Sequence, residues 1–154
     1  MKPNRTTALP QPALIFGLAG QIPLAALAVQ VASGRPLDAA WTTPALQMLL
    51  LYGALMLSFL GGVQCGLAVA TADRSDAWRR FGLPILPMLL AWGGVWAGRR
   101  EGLITLAAGY VVWGAYEWWS TGLGEAPSWY GRLRLAFTVV AVAALGVAAK
   151  YGAF

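Results

Sequence analysis

Five long apolar segments dominate this sequence and restrict the folds open to it. They are residues 13–31, 44–70, 81–97, 102–120 and 133–150. A helix needs about 20 apolar residues to cross a bilayer core of roughly 30 Å, a length that each segment reaches or approaches. Within hydrocarbon only a helix or a closed barrel satisfies the backbone polar groups, and no segment alternates between apolar and polar residues. The sequence therefore predicts an all-α integral membrane bundle of five transmembrane helices, forming one domain over residues 1–154.

Charged residues are too few to coat a soluble protein of this size. Hydrophobic residues make up 58% of the chain, which has only 11 Lys or Arg and 6 Asp or Glu, most of them between the apolar segments. The net charge of +5 is spread over short groups without a nucleic-acid-reading motif. We therefore expect anionic lipid headgroups and other inner-membrane proteins as partners, and no nucleic acid.

The third and first segments each have a feature that departs from a simple transmembrane helix. The third is the shortest and carries Pro84 and Pro87 near its start, so we expect it to be kinked or partly interfacial there. The first follows Lys2 and Arg5 and ends in small residues, as a cleaved signal peptide would. Its length and internal glycines favour a retained transmembrane helix.

The basic residues predict how the helices are oriented. With the N-terminus inside, seven lie on the inner face (Lys2, Arg5, Arg74, Arg79, Arg80, Arg132 and Arg134) and four on the outer face (Arg35, Arg99, Arg100 and Lys150). Because positive residues gather on the cytoplasmic side, this distribution predicts the N-terminus in and the C-terminus out. Candidate interfacial anchors at the inner face are Trp118, Trp119, Trp129, Tyr130 and Arg132.

Small residues recur at every fourth position of the second segment. They are Ala54, Ser58, Gly62, Gly66 and Ala70. Such a ridge lets another helix backbone approach closely, which favours helix association in lipid. We interpret it as a packing face within the chain, with a homodimer interface as the alternative.

Polar side chains within the apolar segments are candidates for a functional site. Gln64 must find a hydrogen-bond partner at membrane depth, and Gln21 is a candidate for that partner. Glu117 lies near the inner boundary, where Arg134 enters the last segment from the same side. This arrangement predicts a structural ion pair, and the alternative is a proton or ligand site.

Reactive constellations are absent from the sequence. It contains no histidine and a single cysteine, Cys65, so the ordinary zinc sites, bis-histidine haem ligation and disulfides within the chain are excluded. We find no phosphate-binding loop, paired carboxylates or activated nucleophile. The sequence therefore predicts no catalytic, metal or cofactor-binding residues, and no enzyme.

Several stretches resemble one known family. They are FGLAGQIP at 16–23, YG at 52–53 with LSFLGG at 57–62, Pro87 with LLAW at 89–92, and WY at 129–130 with Leu133, Arg134 and Thr138. Together they are similar to the small membrane proteins called domain of unknown function 3429, a family that includes animal transmembrane protein 69. The resemblance implies a multi-span protein of bacterial or mitochondrial inner membranes and no particular activity. Residues 1–12 are poor in arginine for a transit peptide, which favours the bacterial inner membrane.

These observations leave three functional hypotheses. The first is a non-enzymatic packing subunit or assembly factor of a larger membrane complex. The second is a small transporter or proton pathway that uses Gln21, Gln64 and Glu117. The third is a lipid- or quinone-binding module at the tryptophan-rich inner rim. The residues of that rim are Trp118, Trp119, Trp129 and Arg134.

Overall fold

The computed structural model describes residues 8–34, 45–71 and 76–151, and these residues form helices and no strands. The helices are α1 (Gln11–Ser33), α2 (Ala45–Thr71), α3 (Ala77–Gly82), α4 (Ile85–Ala97), α5 (Arg99–Gly122) and α6 (Ser128–Tyr151). The predicted all-α class is therefore confirmed. Among the described helices, α1, α2 and α6 are each long and apolar enough to cross a membrane.

The long helices form a bundle in which neighbours along the chain lie side by side. Helix α1 packs on α2, α2 on α4, α4 on α5 and α5 on α6, while α6 returns to pack on α1. Helix α2 also contacts α5 across the bundle. In the α5–α6 pair, Gly114 lies against Thr138 and Gly131 against Thr121, so these two helices are antiparallel.

Leucines fill the centre of the bundle, while the outside is strongly apolar. The fully buried leucines are Leu24, Leu49, Leu57, Leu103, Leu106 and Leu145. On the outer surface Phe16 is 76% exposed and Trp78 is 94% exposed, and many other large apolar side chains are exposed as well. An exposed apolar surface of this extent is expected where lipid replaces water as the solvent.

The small-residue ridge on α2 does not lie on one packing face. Ala54 is buried and Ser58 is partly buried, whereas Gly62, Gly66 and Ala70 are exposed. A Cβ atom added to Gly62 or Gly66 would meet nothing within 4 Å among the described residues. The interpretation as a continuous packing face within the chain is therefore wrong. Steps of four residues advance by about 40° around a helix of 3.6 residues per turn, so the ridge rotates away from the core.

The third apolar segment breaks where its prolines begin. Helix α3 ends at Gly82 and α4 begins at Ile85, with Pro84 at the junction. Proline has no N–H to donate and its ring clashes with the preceding turn, so the predicted kink is confirmed as a break in the helix. The backbone oxygen of Pro84 and the ring of Pro87 pack directly against Gly61 of α2, where any side chain would collide with them.

Candidate functional site

Glu117 is a carboxylate buried completely inside the bundle. It follows Tyr110 and Trp113 on the buried face of α5, at the spacing of three and four residues that keeps one side of a helix in the core. Its side chain is 0% exposed. A charge removed from solvent to this degree is tolerated only when it is paired and hydrogen-bonded.

Two donors from α6 occupy the two oxygens of this carboxylate. The Nε atom of Arg134 donates to Oε2 of Glu117 at 2.8 Å, and the hydroxyl of Tyr130 donates to Oε1 at 2.7 Å. Tyr130 and Arg134 are four residues apart and therefore share one face of α6. We call Glu117, Tyr130 and Arg134 the clasp. The structure contains the ion pair that the sequence predicted and adds Tyr130, which sequence reasoning had placed only among the interfacial anchors.

Glycine allows the helices that carry the clasp to approach each other closely. A Cβ atom on Gly131 would lie 3.0 Å from the hydroxyl oxygen of Thr121. One on Gly114 would lie 2.7 Å from the hydroxyl oxygen of Thr138, closer than real Cβ contacts allow. The two positions flank the clasp along the helix pair, and a larger residue at Gly114 would require Thr138 on α6 to shift.

A second set of hydrogen bonds connects the clasp to α2. The hydroxyls of Ser120 and Thr121 both donate to the backbone oxygen of Glu117, at 3.2 and 2.8 Å. Nε2 of Gln64 donates to the hydroxyl oxygen of Ser120 in a long hydrogen bond of 3.5 Å. Gln64 is therefore an interhelical tie, although its partner lies on α5.

The predicted contact between Gln21 and Gln64 is wrong. The Oε1 atom of Gln21 is buried and has no hydrogen-bond partner among the described residues. Gln64 instead donates to Ser120 of α5. The sequence placed both amides at similar depth in the membrane. Depth does not determine how each helix is rotated about its axis, and that rotation decides which side chains meet.

A second charged cluster holds α3 against the connection between α5 and α6. Arg79 is hydrogen-bonded to Glu125 through Nη2, and Nε of Arg80 lies 4.0 Å from the same carboxylate. The guanidinium carbon of Arg79 also lies 5.2 Å from the ring centroid of Trp119, within cation–π range. The hydrogen bond to Glu125 raises the pKa of Arg79 above its usual value. This cluster fastens the short helix to the bundle.

The predicted interfacial anchors have different environments. Trp118 and Trp119 are about half exposed and Arg132 is exposed, as expected for side chains that face lipid headgroups. Trp129 is partly buried, and Tyr130 contributes to the clasp. The tryptophan-rich rim is therefore not one site: Trp118 lies along the α5–α6 surface, whereas Trp129 belongs to a groove on the other side of α6.

That groove lies between the first half of α1, the middle of α2 and the start of α6, and its volume is about 370 Å³. Gln21, Tyr130 and Arg134 form its polar part, and Phe16 and Phe59 lie among its apolar residues. Two members of the clasp thus also line a cavity. Among the described residues no group of three His, Cys, Asp or Glu side chains is placed to hold a metal ion.

Comparison with known proteins places the chain in a family. The model of the family described as "Protein of unknown function (DUF3429)" matches residues 9–150, nearly the whole sequence. The chain belongs to this family. The DUF3429 match covers every apolar segment, the clasp and the groove, and it confirms the resemblance inferred from the sequence motifs.

One curated relative is an animal membrane protein. Transmembrane protein 69 of Xenopus tropicalis is 37% identical over 142 residues, which cover 88% of this chain and 53% of the relative. The chain thus spans about half the length of that relative. No solved structure matches the chain. This DUF3429 chain is therefore a membrane protein built as a helical bundle.

Proposed function

We propose that this DUF3429 protein is a non-enzymatic protein of the bacterial inner membrane, acting as a packing subunit or assembly factor of a larger membrane complex. The observation that carries the proposal is the clasp. The only carboxylate predicted within a span has both oxygens held by donors of the same chain, Arg134 and Tyr130. Both oxygens of Glu117 are therefore used to hold α5 on α6.

We further propose that five helices cross the membrane, with the N-terminus inside and the C-terminus outside. Helix α4 has only 13 residues and is about 20 Å long, which is shorter than the bilayer core. Its crossing therefore requires the additional length of the polar helix α3. Arg79 and Arg80 on α3 and Arg132 at the start of α6 then lie on the same inner face, in agreement with the excess of positive charge expected there.

The proton-pathway hypothesis has less support from the geometry. A pathway requires polar groups within hydrogen-bond reach of one another, and Gln64 reaches Ser120 while Gln21 makes no such contact among the described residues. Glu117 lies between these amides, but its carboxylate is directed to α6. The three residues therefore do not form a continuous relay.

Isolation from native membranes tests the proposed role. In a mild detergent or polymer disc, the tagged chain should migrate in a complex much larger than its own 16.3 kDa, at constant stoichiometry with its partner proteins. Deleting the gene should reduce the amount of that assembled complex, and the wild-type chain should restore it. A chain that migrates alone, with every membrane complex intact in the deletion strain, would contradict the proposal.

A further inference from the structure

The groove between α1, α2 and α6 has the dimensions of a ligand site. Its volume of about 370 Å³ lies within the range of roughly 300 to 1,000 Å³ that is typical of small-molecule pockets. Phe16 and Phe59 line it and are 76% and 62% exposed, so it opens sideways at the lipid-facing surface. A ligand dissolved in the membrane therefore has direct access to it.

Gln21 supplies the polar feature that packing does not explain. The residue is 8% exposed and lines the groove, and its Oε1 atom has no hydrogen-bond partner among the described residues. An unpaired buried acceptor costs free energy that a ligand hydroxyl would recover. The last side-chain torsion of glutamine is soft, and Oε1 has no bond to lose, so a small rotation presents it to the groove.

The charge of the groove favours a neutral ligand. Arg134 is the one charged side chain among its described lining residues, and its Nε is already paired with Glu117 at 2.8 Å. A phosphate-bearing lipid would bring a negative charge to a site where the positive charge is already balanced. A neutral head with hydroxyl groups can instead donate to Gln21 without adding any charge.

The apolar lining favours a planar ring. Aromatic side chains surround the polar residues, and the groove is otherwise lined by aliphatic side chains and glycines. The aromatic members are Phe16, Phe59, Trp129, Tyr130 and Phe137. Aromatic rings pack favourably on one another in offset or edge-to-face arrangements. We infer that the groove binds an isoprenoid quinol, with the ring among these aromatic residues, a hydroxyl on Gln21 and the tail in the surrounding lipid.

Native mass spectrometry of the detergent-solubilised full chain tests this inference, which goes beyond the proposed structural role. The probe is a benzoquinol with a decyl tail, kept reduced under anaerobic conditions. We expect one molecule to bind per chain and Gln21→Leu to weaken binding about tenfold, as loss of one buried hydrogen bond implies. Gln30→Leu, on the same helix outside the groove, is the matched control and should bind as the wild type does.

A second variant keeps the test decisive if Gln21→Leu folds poorly. Ala13→Trp places a large ring at the groove without touching the amide of Gln21, and should abolish binding while the protein still melts cooperatively. Quinol binding that survives both substitutions would overturn the inference. Displacement of the quinol by an equal concentration of phosphatidylglycerol would also overturn it, because the site would then prefer an anionic headgroup.

Discussion

The burial of the Glu117 carboxylate makes the stability of this protein sensitive to single residues. Removing a carboxylate from water costs several kcal/mol even after the surroundings relax, and attraction to a partner offsets this only when the geometry is good. Here Arg134 and Tyr130 saturate both oxygens, and Ser120 and Thr121 bind the backbone carbonyl of the same residue. The clasp therefore specifies one register of α6 on α5, since any shift along the helices would leave a buried charge unpaired.

Breaking the clasp should destabilise the protein whichever charged partner is removed. Glu117→Gln and Arg134→Gln each leave a buried charge without its counterion, and we expect each to lower the free energy of unfolding by about 3 to 5 kcal/mol. The double variant Glu117→Arg with Arg134→Glu should recover part of that loss, because charges in contact are energetically coupled. Thermal or denaturant unfolding in detergent measures all three. If Glu117→Gln were as stable as the wild type and had lost a proton flux measured in proteoliposomes, Glu117 would be a proton carrier.

The contribution of Tyr130 can be isolated with a smaller change. Tyr130→Phe removes the hydroxyl and one hydrogen bond to the carboxylate, which we expect to cost about 1 to 3 kcal/mol of unfolding free energy, less than Glu117→Gln. Tyr151→Phe, at an exposed position near the end of the same helix, is the control and should have no measurable effect. Equal stability of both variants would show that Tyr130 acts only as an interfacial anchor.

The buried positions of α2 follow the helical period along the whole helix. Its buried face runs through Gly53, Leu57, Gly61, Gln64 and Ala68, at steps of three and four residues. Alternating steps follow the helical period of 3.6, so these positions stay on one side, whereas a strict period of four does not. Adjacent glycines on this helix therefore have opposite environments.

Adjacent glycines on α2 should respond very differently to substitution. Gly61→Leu places a side chain into the backbone of Pro84 and the ring of Pro87, and we expect a loss of about 1 to 3 kcal/mol or failure to fold. Gly62→Leu projects into open space and should melt within experimental error of the wild type in detergent. Thermal unfolding of the matched pair makes the comparison. A stable Gly61→Leu protein would contradict the packing of α2 on α4, and an unstable Gly62→Leu protein would contradict the exposure of Gly62.

The lengths of the apolar runs were sufficient to predict the helices, because a helix in hydrocarbon needs both length and continuity. The pairing of Glu117 with Arg134 was also predictable, since the short connection between α5 and α6 limits where the two can meet. Partner choice was not predictable for Gln21 or Gln64. Depth follows from position in the sequence, but rotation about the helix axis depends on packing with every neighbour. The groove was not predictable for the same reason, because its walls come from three stretches that are far apart in the sequence, on α1, α2 and α6.

At the level of the whole molecule, contact between the first and last helices closes the bundle. Helix α1 packs on α6, so Gly17 lies directly against the ring of Phe137. The groove forms because α2 and α6 both lie beside the first half of α1. Helices α2 and α5 contact each other at both of their ends, where Gly53 meets Leu106 and Gln64 meets Ser120, so they run in the same direction.

Reporter fusions can distinguish five membrane crossings from three. Only α1, α2 and α6 are long and apolar enough by themselves among the described helices, and a three-span protein would leave α4 and α5 as a hairpin that returns to the inner side. Both arrangements place a fusion after Arg80 inside and one after Phe154 outside, as the distribution of basic residues predicts. They differ at the turn between α4 and α5: a fusion after Arg100 is outside with five spans and inside with three. We expect an outer signal there, because α3 and α4 together provide about 30 Å of path across the bilayer. An alkaline phosphatase reporter that is active after Arg100 and Phe154 but inactive after Arg80 would support five spans, whereas inactivity after Arg100 would reduce the number to three.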